Sequence, residues 1–276
     1  MRFTRAGLLL LLPVAGLILS LLTGVAGLIE QSFVGPNGLS FGAFRAFVDR
    51  KETVSVFLYT HEMALLVSVI CVVLSFPLAV FLARKRSPIY TLLIMMPLLV
   101  SIVVRTYGWM VILGPRGLIN TALIGLGVTT TQFRLMYNTT GVVIGLVHIY
   151  IPFATLSILA VYSKIDRSLV DGATALGAGP IRVFWKIVLP LAMPGILAAA
   201  SVVYLLTIGA VVTPLLLGSI RQMMLGSMIY DQMLVTFDFR SAGSAAVIMT
   251  LSAAIAVVPL QLADRWFTRK LPAGQL

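Results

Sequence analysis

Runs of about 20 apolar residues, scarcely interrupted by charge, recur along the whole chain, and no other feature restricts its folding as strongly. A helix rises about 1.5 Å per residue, so a run of that length matches the roughly 30 Å hydrocarbon core of a bilayer. Such runs occupy residues 7–29, 63–83, 89–113, 141–162, 195–217 and 242–262. Of 276 residues, 59% are apolar and only 11% charged, a balance that no water-soluble core could hide. The sequence therefore predicts an all-α, polytopic membrane protein with six transmembrane helices in a single domain, 1–276. The first run, behind Arg2 and Arg5, exceeds the roughly 7–15 apolar residues of a signal peptide and predicts a retained span. Pro77, Pro97, Pro152 and Pro259 fall inside runs and predict kinks rather than breaks, because neighbouring helices can satisfy the carbonyls a proline frees.

The net charge of +11 raises the question of nucleic acid, but the cations sit in short clusters between apolar runs rather than along one polar face. Arg2, Arg5, Arg84, Lys85, Arg86, Lys164, Arg167, Arg182, Lys186, Arg265, Arg269 and Lys270 alternate onto one side. The smaller set of Arg45, Arg50, Lys51, Arg105, Arg116, Arg134, Arg221 and Arg240 falls on the other. The positive-inside rule puts the richer side, with both termini, in the cytoplasm. The outer connections are then 30–62, 114–140 and 218–241, with the apolar patch Leu118 to Leu126 too short to span. Cys71 lies inside an apolar run, which leaves no disulfide framework or thiolate metal cluster.

The inner connections are short except for residues 163–190. There Leu169, Ala173, Leu176, Val183, Phe184 and Ile187 recur at helical threes and fours, predicting an amphipathic element in the cytoplasm. Its spelling is Asp171-Gly172-Ala173, then Gly177-Ala178-Gly179, then Ile187-Val188-Leu189-Pro190. This resembles the E-A-A, G, I-x-L-P loop of bacterial ABC importer permeases at every fixed spacing. Asp171 stands for the usual Glu and Gly172 for the first Ala, which shortens the carboxylate's reach and lowers local helix propensity.

The resemblance implies the type I importer permease fold and a loop of two short helices meeting near the Gly. Asp171 to Gly179 would be the coupling helix that enters a cleft on a cytoplasmic ABC ATPase dimer, with Arg182 and Lys186 facing its rim. The chain has no G-x-x-x-x-G-K-[ST] phosphate loop, so ATP and Mg would be held by that ATPase and no cofactor or metal by this chain. A second permease subunit, identical or paralogous, and an extracytoplasmic solute-binding protein complete the implied partners.

Further segments, Arg105-Thr106-Tyr107-Gly108-Trp109, Gly145-Leu146-Val147-His148 and Val212-Thr213-Pro214-Leu215-Leu216-Leu217-Gly218, look like the spermidine/putrescine permease branch. That branch implies a small hydrophilic solute, a polyamine first, with an amino acid or organic ion as the alternative. A multivalent cation wants carboxylates and aromatic faces along its route. Glu62, Asp231 and Asp238 are the outward acids placed for this, with Tyr107, Trp109, Tyr150 and Tyr204 as aromatic candidates and Thr213 beside them. Arg105, near the outer boundary, reads either as a snorkelling cation or as a gate residue that pairs with an acid. His148, some 10 Å into its span, reads as a neutral histidine bonded to a neighbouring helix or as a pathway ligand.

Two other function classes fit less well. An ion-coupled secondary transporter relies on buried carboxylates, and none of the nine acidic residues falls in the core of a run. A membrane phosphotransferase built on Asp171-Gly172 needs further acids to hold cations, and none occurs between Asp171 and Asp231. The chain is therefore expected to be a transport subunit and not an enzyme.

Overall fold

A computed structural model describes residues 5–35, 38–85 and 87–270; Arg2 and Arg86 of the basic clusters, and both chain ends, lie outside the described residues. Helix α1 covers Arg5–Phe33, α2 Gly42–Asp49, α3 Lys51–Lys85 and α4 Pro88–Met95. Helix α5 covers Ile102–Leu113, α6 Leu118–Gly125, α7 Thr139–Tyr162 and α8 Arg167–Ala175. Helix α9 covers Pro180–Val183, α10 Leu189–Ile208, α11 Val212–Leu217, α12 Leu225–Leu234 and α13 Phe239–Lys270. Five helices among the described residues are long and apolar enough to cross a membrane.

The expected third span, 89–113, is not one rod. Residues Pro88–Leu99 and Ile102–Gly125 form a pair bent by 90°. A tight turn over Met96–Leu99 carries Pro97 near its start, and Val100 and Ser101 are extended. Pro97 therefore sits at a break instead of the expected kink, whereas Pro77, Pro152 and Pro259 stay inside unbroken helices. Similarly, the run 195–217 is divided after Ile208, where Gly209 ends α10 and α11 restarts at Val212. The second span begins at Lys51, well before its apolar stretch, so much of the expected outer connection 30–62 is helical.

The chain forms two compact units. One comprises residues 1–55 with 228–250. Within it the rings of Phe33, Phe41 and Phe44 cluster, Phe33 lying 5.4 Å from Phe41 and 4.9 Å from Phe44. Gly243 of α13 approaches α1 so closely that a Cβ there would stand 2.6 Å from the Leu28 carbonyl.

The other unit, residues 56–227 with 251–276, is organised around α7. Val142, Leu146, Ala154 and Ile158 of α7 are wholly buried with Ala199 and Val203 of α10 and Val67 and Cys71 of α3. Lipid tails are as apolar as these side chains, so close van der Waals contact through small residues must hold the helices together. A Cβ on Gly195 would lie 3.0 Å from Val161 Cβ, and one on Gly145 2.6 Å from Leu217 Cδ1 and 2.7 Å from Thr213 Cγ2. Polar side chains add lateral bonds: the Ser75 hydroxyl donates to the Ile151 carbonyl at 3.2 Å, and Tyr59 and Thr139 hydroxyls meet at 3.3 Å. Buried Asn120 clasps the connection that follows α6. Its amide donates to the Gly114 and Phe133 carbonyls, each at 3.0 Å, and accepts the Phe133 N–H at 2.8 Å.

Gly145→Val should therefore overpack the contact between α7 and α11, lowering stability by about 1–3 kcal/mol. A fall in the Tm of the detergent-purified protein, absent for the uncrowded Gly125→Val, checks this.

Candidate functional site

Two places concentrate the residues singled out by the sequence, and the first is the foot formed by α8 and the turn after it. Asp166 starts α8 by accepting the Ser168 N–H at 2.9 Å. That backbone bond is the main reason its carboxyl is held below the usual aspartate range. The cap is thus intact at neutral pH and is lost only as pH falls through that lowered value. At the other end the Gly177 N–H bonds the Thr174 carbonyl at 2.9 Å and the Ala178 N–H the Ala173 carbonyl at 3.0 Å. This paired closure needs a left-handed residue, and Gly177 has φ +82°. No atom lies within 4 Å of where its Cβ would be, so backbone conformation alone demands glycine there.

Helix α8 buries none of its residues. Leu169 and Ala173 are half-buried and Val183 is buried, as their spacing implies, but Leu176 is 90% exposed at the tip. Asp171, Gly172, Gly179, Arg182 and Lys186 are exposed, and Ala178 is half-buried. The irregular part ends sooner than the expected 163–190 segment. From Pro180 the chain is helical without interruption, and Pro180–Ile208 makes a single span. The Ile187, Leu189 and Pro190 motif lies within it, at a wide turn over Phe184–Val188 in which the Leu189 N–H reaches the Phe184 carbonyl. Pro190 cannot donate to the carbonyl four residues back and its ring needs room there, which a widened turn supplies.

The second place is a cavity of about 640 Å³ between the two helix breaks. Ser101 and Arg105 reach it from the start of α5, Tyr150 and Phe153 from α7, and Gly209 and Thr213 from the α10–α11 break. Breaking α10 frees carbonyls. The Gly209 and Ala210 N–H groups take those of Leu205 and Thr207, and the Tyr150 hydroxyl donates to the Leu206 carbonyl at 2.9 Å. Of the pathway candidates, Arg105, Tyr150 and Thr213 meet here. Trp109 and His148 pack against each other with ring centroids 5.5 Å apart and do not line the cavity. Buried Tyr204 has its ring 6.2 Å from that of His61, Tyr107 is 55% exposed and Glu62 is exposed; none of these lines the cavity either.

Asp231 and Asp238 belong to the other compact unit. The Asp238 carboxylate accepts the Ser241 N–H at 3.0 Å, chiefly through Ser241 is held below the usual aspartate range, and precedes α13. Ser101, Phe153 and Gly209 were missed by sequence reasoning, although a glycine after an apolar helical run is a recognised stop signal. No group of three or more His, Cys, Asp or Glu suited to a metal ion occurs among the described residues.

This architecture is that of a transporter permease: long apolar helices, some broken around a cavity, with an exposed helical foot on a continuous span. The family model for binding-protein-dependent transport system inner membrane components matches residues 75–272, and the chain belongs to that family. It is 31% identical over 219 residues to the spermidine/putrescine transport system permease protein PotB of Escherichia coli (strain K12), covering 78% of this chain and 80% of that one. The PotB protein of Haemophilus influenzae is 27% identical over 249 residues, 87% of each chain. Among solved structures, a bacterial alginate ABC transporter in complex with an alginate pentasaccharide-bound periplasmic protein superposes with a TM-score of 0.76 at 16% identity, covering 96% of both chains. The fold is thus that of ABC importer permeases, and the chain is an inner-membrane transport subunit, not an enzyme.

Tyr150→Phe should leave the Leu206 carbonyl unpaired in apolar surroundings, at a cost of about 1–3 kcal/mol. A lower Tm, together with faster proteolysis near Gly209, is the expected outcome.

Proposed function

We propose that this chain forms half of the transmembrane pathway of a polyamine importer, with spermidine or putrescine as the solute. Support for the solute comes from the similarity to PotB proteins over most of both chains. In this reading an extracytoplasmic binding protein delivers the solute to the outer loops, a second permease subunit supplies the other half, and both termini are cytoplasmic. ATP and Mg are bound by a cytoplasmic ATPase dimer and not by this chain. Helix α8 docks in a cleft of that ATPase with Leu176, bare at its tip, as the apolar anchor and Arg182 and Lys186 meeting the rim.

The single observation that carries the coupling role is the foot itself. The expected helix Asp171 to Gly179 is found as the second half of the exposed helix α8, Arg167–Ala175, and a turn through the left-handed Gly177 that joins it to Pro180–Ile208, with which it can move as a lever. Glu62, Tyr107, Trp109, His148, Tyr204, Asp231 and Asp238 remain proposed contacts along the route, and Arg105, Tyr150 and Thr213 proposed contacts within the cavity. The same machinery would serve another small solute with altered contacts.

Proteoliposomes holding the assembled importer should take up labelled spermidine or putrescine only with ATP and the binding protein. Uptake driven by an ion gradient without nucleotide would overturn the reading. Gly177→Val should leave insertion intact, because it fills no occupied space, yet abolish solute-stimulated ATPase activity by forcing the turn out of its left-handed conformation. Normal stimulation in that variant would count against the lever.

A further inference from the structure

Arg105 reaches the cavity from the first turn of α5. Its Nε and Nη1 are buried from solvent and meet no acceptor, and its side chain lines the cavity between the two breaks. The side chain as a whole is half-buried, but two donors of a charged group that are cut off from solvent and left unpaired are costly, and the chain as described supplies them no acceptor. Two further observations give the chemistry of that acceptor. The start of α5 opens onto the same cavity at Ser101 and Ile102, and the Ser101 side chain does not cap it, so first-turn N–H groups remain free. Of the carbonyls that the other break frees, those of Leu205, Leu206 and Thr207 are already taken, the Leu206 one by Tyr150. The lining contains no Asp or Glu. The cavity thus presents donors and positive charge, and nothing in its lining neutralises them.

We infer that this cavity is an oxyanion site in which Arg105, supported by the start of α5, holds one carboxylate or phosphate-like group supplied from outside the cavity lining. Guanidinium geometry suits such a group, since two adjacent N–H vectors match two oxygens of one carboxylate or phosphate. There are two sources for it. A polyamine carries no anionic group, so with that cargo the oxyanion is a carboxylate of the second permease subunit, and Arg105 is where the two halves of the pathway lock. With an anionic or zwitterionic cargo the oxyanion belongs to the solute itself. The inference stands apart from the polyamine reading, because it follows from the cavity and not from the identity of the cargo.

The test uses the full chain in nanodiscs, melted in increasing sodium acetate or inorganic phosphate, with sodium chloride at matched ionic strength as the control. A saturable rise in Tm with acetate or phosphate, above that with chloride, is expected. It should vanish in Arg105→Gln and require roughly tenfold or more anion in Arg105→Lys, which keeps the charge but loses the planar fork. The lysine variant carries the test if the glutamine variant does not fold. Repeating the titration with the assembled importer separates the sources. Loss of the acetate or phosphate effect on assembly assigns the oxyanion to the second permease, and its retention assigns it to the solute. An equal response to chloride, or an unchanged response in both variants, would overturn the proposal. Failure of spermidine uptake would leave these titrations unaffected, so the two readings fail separately.

Discussion

A helix that stops within apolar surroundings leaves backbone amides and carbonyls that water cannot reach, and the structure turns on how those groups are satisfied. Two of its apolar runs stop short. After Ile208 the Leu205, Thr207 and Leu206 carbonyls are taken by the Gly209 and Ala210 amides and the Tyr150 hydroxyl. On the far side of that break a Cβ on Gly226 would stand 2.8 Å from the Ala210 carbonyl, so glycine lets α12 press against it. The Leu225 N–H is meanwhile held by the Thr60 hydroxyl at 2.9 Å. At the other break, the start of α5 is left with donors to spare. Irregular backbone at such depth is tolerated where it is buried in protein or lines a cavity, and both conditions are met around Arg105.

Close packing of α7 makes this affordable. Gly145 and Gly195 bring α11 and α10 against it so closely that a larger residue would crowd its neighbours, and the buried contacts so gained hold Tyr150 opposite the end of α10. In lipid this dispersion term replaces the hydrophobic drive that organises a soluble core. Ser75, Tyr59 and Thr139 add hydrogen bonds between α3 and α7, each modest because the separated helices would also find partners.

Much of the fold was legible because hydropathy needs no knowledge of neighbours. The runs 7–29, 63–83, 141–162 and 242–262 each fall within an unbroken helix. The breaks were not legible, for a physical reason. Val100, Ala210 and Val211 are as apolar as the residues around them, so a window passes through without registering a change of direction. A proline signals a lost hydrogen bond but not whether packing will keep the helix continuous, as at Pro77, or let it turn by 90°, as near Pro97. The foot was visible because its constraint is local: a left-handed position after a short helix calls for glycine whatever surrounds it. The cavity was only half visible. Arg105, Tyr150 and Thr213 come from three helices, and only tertiary structure brings them to one wall while leaving Glu62 and Trp109 elsewhere.

The foot and the cavity share one mechanical element, and that sharing is the strongest argument that they act together. Pro180–Ile208 begins at the turn after Gly177 and ends at the break that lines the cavity. Its 29 residues span roughly 43 Å, more than the apolar thickness of a bilayer, so its first turns project to where α8 stands exposed. A continuous helix is stiff along its axis, whereas Gly209–Val211 at its far end is not helical. At that far end the Leu206 carbonyl is held by Tyr150, and both residues border the space in front of Arg105. The widened turn over Phe184–Val188 lies at the foot end of this path. Near its middle Pro194 gives up one helix hydrogen bond, and the next residue, Gly195, sets the rod closely against Val161 and Ile158 of α7, so packing supports the helix where its own bonding is weakest.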